Sequence, residues 1–378
     1  MGGDALYGSG LEVGGDVGPL PEPGAQSFVV ADLDTGEIIA AQNAHAPLPP
    51  ASTLKMLTAL TVLPRINLDS IYTATDDDTF VEGSKVGIVS GSTYTGRQLF
   101  EGMFLISGND AANAVANLNG GIEGTVDQMQ AEAGRLQAYD TLVRNANGLD
   151  HPGQVTSAYD LALMARAGMQ REDFAQFAGL SNSTFPMSGT TDPTSRPTFE
   201  IWNQNSLVTG AYDGAIGVKS GFTTNAGRTF AAAAQRDGKR YLVTLMGIEG
   251  NTYDTGARFL DWAFENGPSA DSVGNLVDPK FSEPQSDAAT VVQQADRNTL
   301  PSITMPSTSQ GRTPWIIAVI TLTCCLISWW GVRSQRLRAM RMKQLPAMTQ
   351  PPPTPSVPLE RDPHLVDLRS RSRTDVRV

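Results

Sequence analysis

Trp315–Val332, "WIIAVITLTCCLISWWGV", runs for eighteen residues without a charge. At about 1.5 Å per residue, a helix of that length covers roughly 27 Å, just enough to cross the hydrocarbon core of a bilayer. Trp315 stands at one end and Trp329 and Trp330 at the other, where indole rings prefer a membrane interface. Arg333, Arg336, Arg338, Arg341 and Lys343 follow at once, whereas only Arg312 lies close upstream. These flanks favour a membrane span over a buried soluble helix, and the positive side marks the cytoplasm. The expectation is one transmembrane helix at 313–332, with residues 1–310 outside and a tail at 333–378 inside.

The span also divides the charge. Residues 333–378 hold ten Lys+Arg against four Asp+Glu, which leaves 18 basic and 35 acidic residues before them, a net charge of −17. An acidic body of this kind argues against nucleic acid as a partner, since a phosphate groove needs clustered Lys and Arg. Cys324 and Cys325 are adjacent and lie inside the span, a poor arrangement for a disulfide or a metal site. His45, His151 and His364 have no metal-ligand spacing, so neither a metal nor a cofactor is expected. An outside body needs export, yet residues 1–24 show neither a basic n-region nor an apolar h-region. Leu6 also occupies the position where a myristoylation motif needs Ser or Thr. The export signal is therefore expected upstream of Met1.

Residues 1–24 are rich in Gly and Pro and read as disordered. "SFVVADLDTGEIIAAQNA" predicts two strands around an Asp-Thr-Gly turn, and "RTFAAAAQRDGKRYLVTLMGI" a hairpin turning at Asp237-Gly238. Between them come helical patterns from Ser52, after a Thr95 cap, at "DAANAVANLNG", and after Thr156 or Ser157. "AIGVKSGF" predicts a short strand and "NTYDTGARFLDWAFENG" the closing helix. Strands at both ends with helices between imply an α+β fold, an antiparallel sheet flanked by helices, over residues 25–268. The Ser, Thr, Pro and Asp content of 269–312 suits a flexible stalk, and "PPPTPSVP" marks the tail as disordered.

The helix from Ser52 to Leu63 is apolar on nearly every face, through Leu54, Met56, Leu57, Ala59, Leu60, Val62 and Leu63, and so should be buried. It nevertheless contains Lys55, three residues after Ser52. At that spacing the two side chains share a face, and burial lowers a lysine pKa until the neutral amine can take the proton of a serine hydroxyl. The helix start would also set the Ser52 N–H where a developing oxyanion needs it. Taken alone, Ser-x-x-Lys fits equally a lysine that snorkels to water. Two further stretches shift the balance. Ser107-Gly108-Asn109 falls on a turn between helices, and Lys219-Ser220-Gly221 on a strand. Ser-x-x-Lys, Ser-x-Asn and Lys-[Ser/Thr]-Gly, in this order, form the set shared by penicillin-binding proteins and serine β-lactamases.

"PLPPASTLKMLTAL", "LISGNDAANAVA", "ANGLD", "TSAYDLALMAR" and "GVKSGFTTNAGRTFAAAAQRDGKR" resemble the D-alanyl-D-alanine carboxypeptidases among the low-molecular-mass penicillin-binding proteins, over about residues 25–268. The resemblance implies a β-lactamase/transpeptidase-like fold and a C-terminal anchor at the outer face of a bacterial cell membrane. It implies peptidoglycan stem peptides and β-lactams as partners. Ser52 would be the acylated nucleophile and Lys55 its base, while Ser107, Asn109 and Lys219 would handle the leaving group's proton and position the peptide. The N–H groups of Ser52 and Phe222 would form the oxyanion hole, with Ser220 on the terminal carboxylate and Gly221 and Thr223 beside the substrate. The family usually has Thr at the position of Ser220; Ser keeps the hydroxyl but loses the β-branch that fixes χ1, so a modest effect on carboxylate binding is implied. A class A β-lactamase is the nearest alternative, because Glu200-Ile-Trp-Asn203 matches its Glu-x-x-Asn string. That string lies close before the Lys219 strand and reads as coincidence. A catalytically silent wall sensor or scaffold would show a broken motif, and none is broken. A Ser-His-Asp triad lacks support, since neither His45 nor His151 falls in a recognisable element.

Overall fold

A computed structural model describes residues 1–280. Along the chain come β1 (Leu11–Val13), β2 (Ser27–Asp32), β3 (Glu37–Gln42), α1 (Lys55–Val62), β4 (Ile71–Thr73), α2 (Asp76–Thr79), β5 (Thr93–Thr95), α3 (Gly96–Leu105) and α4 (Asn109–Leu118). Next are α5 (Ile122–Arg135), α6 (Ala158–Met169), α7 (Glu172–Gly179), and the hairpin of β6 (Asn182–Pro186) and β7 (Thr198–Trp202). β8 (Ala215–Thr223), β9 (Gly227–Arg236), β10 (Lys239–Ile248), α8 (Thr252–Asn266) and β11 (Gly274–Asn275) follow. The main sheet is antiparallel throughout, in the order β1-β3-β2-β10-β9-β8, with β11 also paired to β3.

Period-2 alternation gives this sheet two buried faces. Phe28 and Val30 of β2, with Phe230, Ala232, Val243 and Leu245, pack against Phe259, Leu260 and Ala263 of α8. Val29 and Ala31, with Ala231, Ala233, Leu242 and Met246, face the helices on the other side. The result is three layers: α8, the sheet, and a helical body with α1 at its centre. Every residue of α1 is buried, including Lys55, as an all-round apolar pattern requires. The local signals hold where they were clearest. Asp237 and Gly238 turn the β9–β10 hairpin with φ of 49° and 78°, the positive pair that a tight hairpin needs. Thr95 caps α3 in a reciprocal box with Gln98, and Ser157, not Thr156, accepts the N-terminal N–H of α6.

Two boundaries differ from expectation. Residues 1–24 are ordered rather than disordered: β1 pairs with β3, Leu6 is 2% exposed, and Trp262 Nε1 donates to the Gly18 carbonyl at 2.9 Å. Glycine content, which suggested disorder, here lets the backbone lie flush, since a Cβ on Gly14 would stand 1.6 Å from the Asp271 carbonyl oxygen. The domain also continues past 268. β11 pairs with β3, Leu276 is 4% exposed, and Asp278 accepts from Arg166 Nη1 at 2.9 Å. The rest of the expected stalk, the span at 313–332 and the tail lie outside the described residues. Among the described residues, no helix is long and apolar enough to cross a membrane.

Candidate active site

Pro49 and Pro50 end the extended chain, and a 3-10 turn, Ala51–Leu54, leads into α1. Ser52 thus lies just before the α-helix rather than inside it. Residues i and i+3 eclipse in a 3-10 turn, which brings Lys55 directly over Ser52. Lys55 Nζ stands 2.9 Å from Ser52 Oγ, 2.7 Å from Asn109 Oδ1 and 2.6 Å from the Asn147 carbonyl oxygen. A neutral amine has two N–H bonds and one lone pair. Asn109 and Asn147 take the two N–H bonds, so the lone pair is left for the Ser52 hydroxyl. Lys55 is 1% exposed, and its pKa is held well below the ordinary lysine range, chiefly by burial and then by the charge of Lys219; Asp110 pulls the other way.

Asp110, fully buried, accepts from the N–H groups of Val86, Gly87 and Ile88 and so pins that loop to the start of α4. Ser107 precedes it in the left-handed region (φ 58°), a conformation that non-glycine residues adopt mainly where the surroundings enforce it. That turn aims Ser107 Oγ at Lys219 Nζ, 3.0 Å away. Lys219 comes from β8, the last strand of the main sheet's order; it is 3% exposed, and burial lowers its pKa to about 7. Gly221, two residues on, meets the Ser52 turn directly: a Cβ there would lie 2.6 Å from Ser52 N and 3.0 Å from Ala51 Cβ. Helix, turn and strand therefore converge, with Ser52 half-buried between two buried lysines.

The D-alanyl-D-alanine carboxypeptidase family model matches residues 18–250. The chain belongs to that family. It is 40% identical over 265 residues to D-alanyl-D-alanine carboxypeptidase DacB2 of Mycobacterium tuberculosis, covering 68% of this chain and 88% of that one. It is 32% identical to D-alanyl-D-alanine carboxypeptidase DacD of Escherichia coli, over 65% of this chain and 64% of the relative. The crystal structure of a D-alanyl-D-alanine carboxypeptidase from M. tuberculosis superposes with a TM-score of 0.65 at 38% identity, covering 70% of this chain and 99% of that one. Penicillin-binding protein 6B from E. coli gives 0.60 at 30% identity, over 68% and 82%.

The carboxypeptidase family needs none of the alternative arrangements. Glu200 is exposed on β7 opposite Thr184, and Asn203 binds the Leu180 carbonyl and the Asn205 N–H, so the Glu-x-x-Asn string belongs to a hairpin and its asparagine is engaged locally. Fold does bring Ser157, His45 and Asp140 together, but Ser157 Oγ donates to Asp140 rather than to the imidazole and caps α6. A cavity of about 700 Å³ among Leu60, Arg65, Arg135 and Arg171 contains none of the carboxypeptidase motifs. Of the expected site residues, Thr223 has its hydroxyl engaged within the protein. Its hydroxyl donates to Asp150 Oδ1 at 2.7 Å and accepts from Ala226 N, tying down the β8–β9 turn. Phe222, by contrast, is 65% exposed at the rim. Three contributors were missed: the Asn147 carbonyl, Gly148 beneath it, and Asp150. All lie in "ANGLD", which the family resemblance had already singled out without giving it a task.

Proposed function

We propose that the domain removes the terminal D-alanine of peptidoglycan stem peptides through an acyl-enzyme on Ser52. One observation carries the reading: the buried Lys55 amine has both N–H bonds engaged by Asn109 and Asn147, and Ser52 Oγ stands 2.9 Å away on its remaining side. Ser52 Oγ attacks the carbonyl of the penultimate D-alanine while its proton passes to Lys55 Nζ. The N–H groups of Ser52 and Phe222 receive the oxyanion, and the close approach of Gly221 to Ser52 N supports that pairing. Lys219 and Ser107, hydrogen-bonded to each other, supply the proton on which D-alanine leaves as a neutral amine. Water then cleaves the ester: its oxygen joins the acyl carbon, its proton restores the Ser107–Lys219 pair, and the proton taken up by Lys55 returns to Ser52 Oγ as the ester bond breaks. The Ser220 hydroxyl receives the substrate's terminal carboxylate.

A penicillin mimics the D-Ala-D-Ala end, but its leaving group stays tethered after ring opening and occupies the space that incoming water needs. A long-lived penicilloyl ester on Ser52 is therefore expected, together with multiple turnover of D-Ala-D-Ala peptides. Fluorescent penicillin, gel electrophoresis and peptide mapping check the first, and mass spectrometry of the peptide products the second. Rapid penicillin turnover that disappears in Glu200→Gln would instead make the chain a β-lactamase.

The same proposal places the domain outside a bacterial cell membrane, held by Trp315–Val332 and with 333–378 in the cytoplasm; the Arg and Lys asymmetry around that run supports it. Protease added to intact protoplasts should digest the catalytic domain and spare the tail. Loss of the tail with survival of the domain would reverse the topology.

A further inference from the structure

The Glu200-Ile-Trp-Asn203 string has no part in the chemistry proposed for Ser52, yet it builds a surface of its own. In the β6–β7 hairpin Ser183 lies opposite Ile201 and Phe185 opposite Phe199, and this face packs inward. Phe185 and Ile201 are buried in the core, and Ser183 Oγ donates to Glu101 Oε2 of α3 at 2.8 Å. Alternation turns Asn182, Thr184, Glu200 and Trp202 to the other face, with Asn182 opposite Trp202 and Thr184 opposite Glu200. All four are exposed, Trp202 by 55%. Among the described residues, the Trp202 indole N–H, the Thr184 hydroxyl, the Asn182 amide N–H groups and the Glu200 carboxylate have no hydrogen-bond or ion-pair partner.

A large aromatic ring set among hydroxyl, amide and carboxylate groups narrows the choice of ligand. One indole offers far less apolar area than each side of a stable protein interface buries, about 800 Å², and the Glu200 charge opposes a phosphate. A sugar ring has an apolar C–H face that lies flat on an indole and hydroxyls around its rim for Asn182, Thr184 and Glu200. A hydroxyl that donates to a carboxylate makes the stronger, charge-assisted kind of hydrogen bond. The backbone links this face to the cleft. Gln204 N, two residues after Trp202, donates at 2.9 Å to the carbonyl of Leu105, two residues before Ser107. Two residues on either side of that bond add at most about 7 Å each, and the bonded pair about 5.5 Å, so Trp202 lies within roughly 20 Å of Ser107. A peptide of about five residues with its end in the cleft spans roughly 17 Å, enough to bring the group it hangs from to this face. In peptidoglycan that group is a glycan strand.

We propose that the outer face of the β6–β7 hairpin binds the glycan strand of the substrate, with a sugar ring stacked on Trp202 and its hydroxyls held by Glu200, Thr184 and Asn182. The proposal rests on the reading that the cleft takes peptidoglycan stem peptides, and it extends that reading to the sugar that carries them. The test uses the full chain, unchanged or as Trp202→Ala or Trp202→Phe, with a peptide ending in D-Ala-D-Ala, either free or carried on a short glycan strand. In Trp202→Ala the ratio of kcat/KM for the glycan-borne peptide over the free one should fall about 10-fold, as for truncation of an anchoring aromatic. The loss should appear mainly in KM, and Trp202→Phe should recover part of the ratio. An unchanged ratio overturns the proposal, whether both rates fall together, as for a structural residue, or neither moves. If the unchanged chain hydrolyses neither substrate, the carboxypeptidase reading falls, and glycan strands stripped of peptide are then titrated into the full chain. Binding that Trp202→Ala weakens about 10-fold keeps the glycan site; no binding, or binding indifferent to Trp202, overturns it as well.

Discussion

Lys55→Arg should leave the domain folded and lower the acylation of Ser52 by about 10²- to 10⁴-fold, the range over which a positioned general base acts. Arginine keeps a cation and most of the length, but its guanidinium is never neutral at a pH that proteins survive. Whatever hydrogen bonds it makes to Asn109 and Asn147, it has no lone pair to offer Ser52. The measurement is the second-order rate constant for a fluorescent penicillin, with circular dichroism to confirm the fold. Near-normal acylation by a folded variant would reduce Lys55 to a structural cation.

Gly148→Ala should be nearly as damaging by another route. Gly148 has φ of +85°, and a Cβ there would lie 2.0 Å from the Ala51 carbonyl oxygen and 3.2 Å from Ser52 Cα. Alanine therefore meets backbone that cannot swing aside, in a conformation that itself costs about 1–3 kcal/mol. The 147–150 loop must move off the nucleophile's turn, and the Asn147 carbonyl moves off Lys55 with it. We expect a stability loss of about 2–4 kcal/mol and at least a tenfold fall in acylation. Gly153→Ala is the control: φ is +80°, but the nearest atoms are those of the Arg144 side chain at 3.7 Å, so only the conformational cost applies. Equal melting temperatures for the two variants would show that the contact with Ala51 is not what fixes the loop.

What could be read in advance follows from where the chemistry is written. The roles proposed for Ser52, Lys55, Ser107, Asn109 and Lys219 lie in their side chains, and the order of those residues along the chain narrows the fold before any geometry is known. Asn147 contributes a carbonyl, which every residue possesses, so its identity carries no sign of the task. Thr223 shows the opposite error. Its place after Lys219-Ser220-Gly221 suggested a substrate contact, but Asp150, more than seventy residues earlier, has already claimed its hydroxyl. The segments 1–24 and 269–280 were misjudged because composition measures how much apolar surface a segment can bury alone. Both segments instead complete β3, whose pairing with β1 and β11 was invisible locally.

Sheet order has a consequence in time. β2 and β10 are neighbours, with Asp32 facing Tyr241 and Ser27 facing Met246. A chain leaving the ribosome therefore presents β1 to β3, the Ser52 turn and every helix of the middle segment before the strand that joins them. Until β10 arrives, β2 keeps an open edge able to pair with another chain. Closing so distant a contact is slow, because the entropy of the intervening loop is lost before the contact repays it. Lys219 and Gly221 lie on β8, which is also late in the chain and pairs with β9, so a nascent chain holds Ser52 and Lys55 without the strand that completes the cleft. Inhibitors that need the finished cleft would leave unfinished chains untouched.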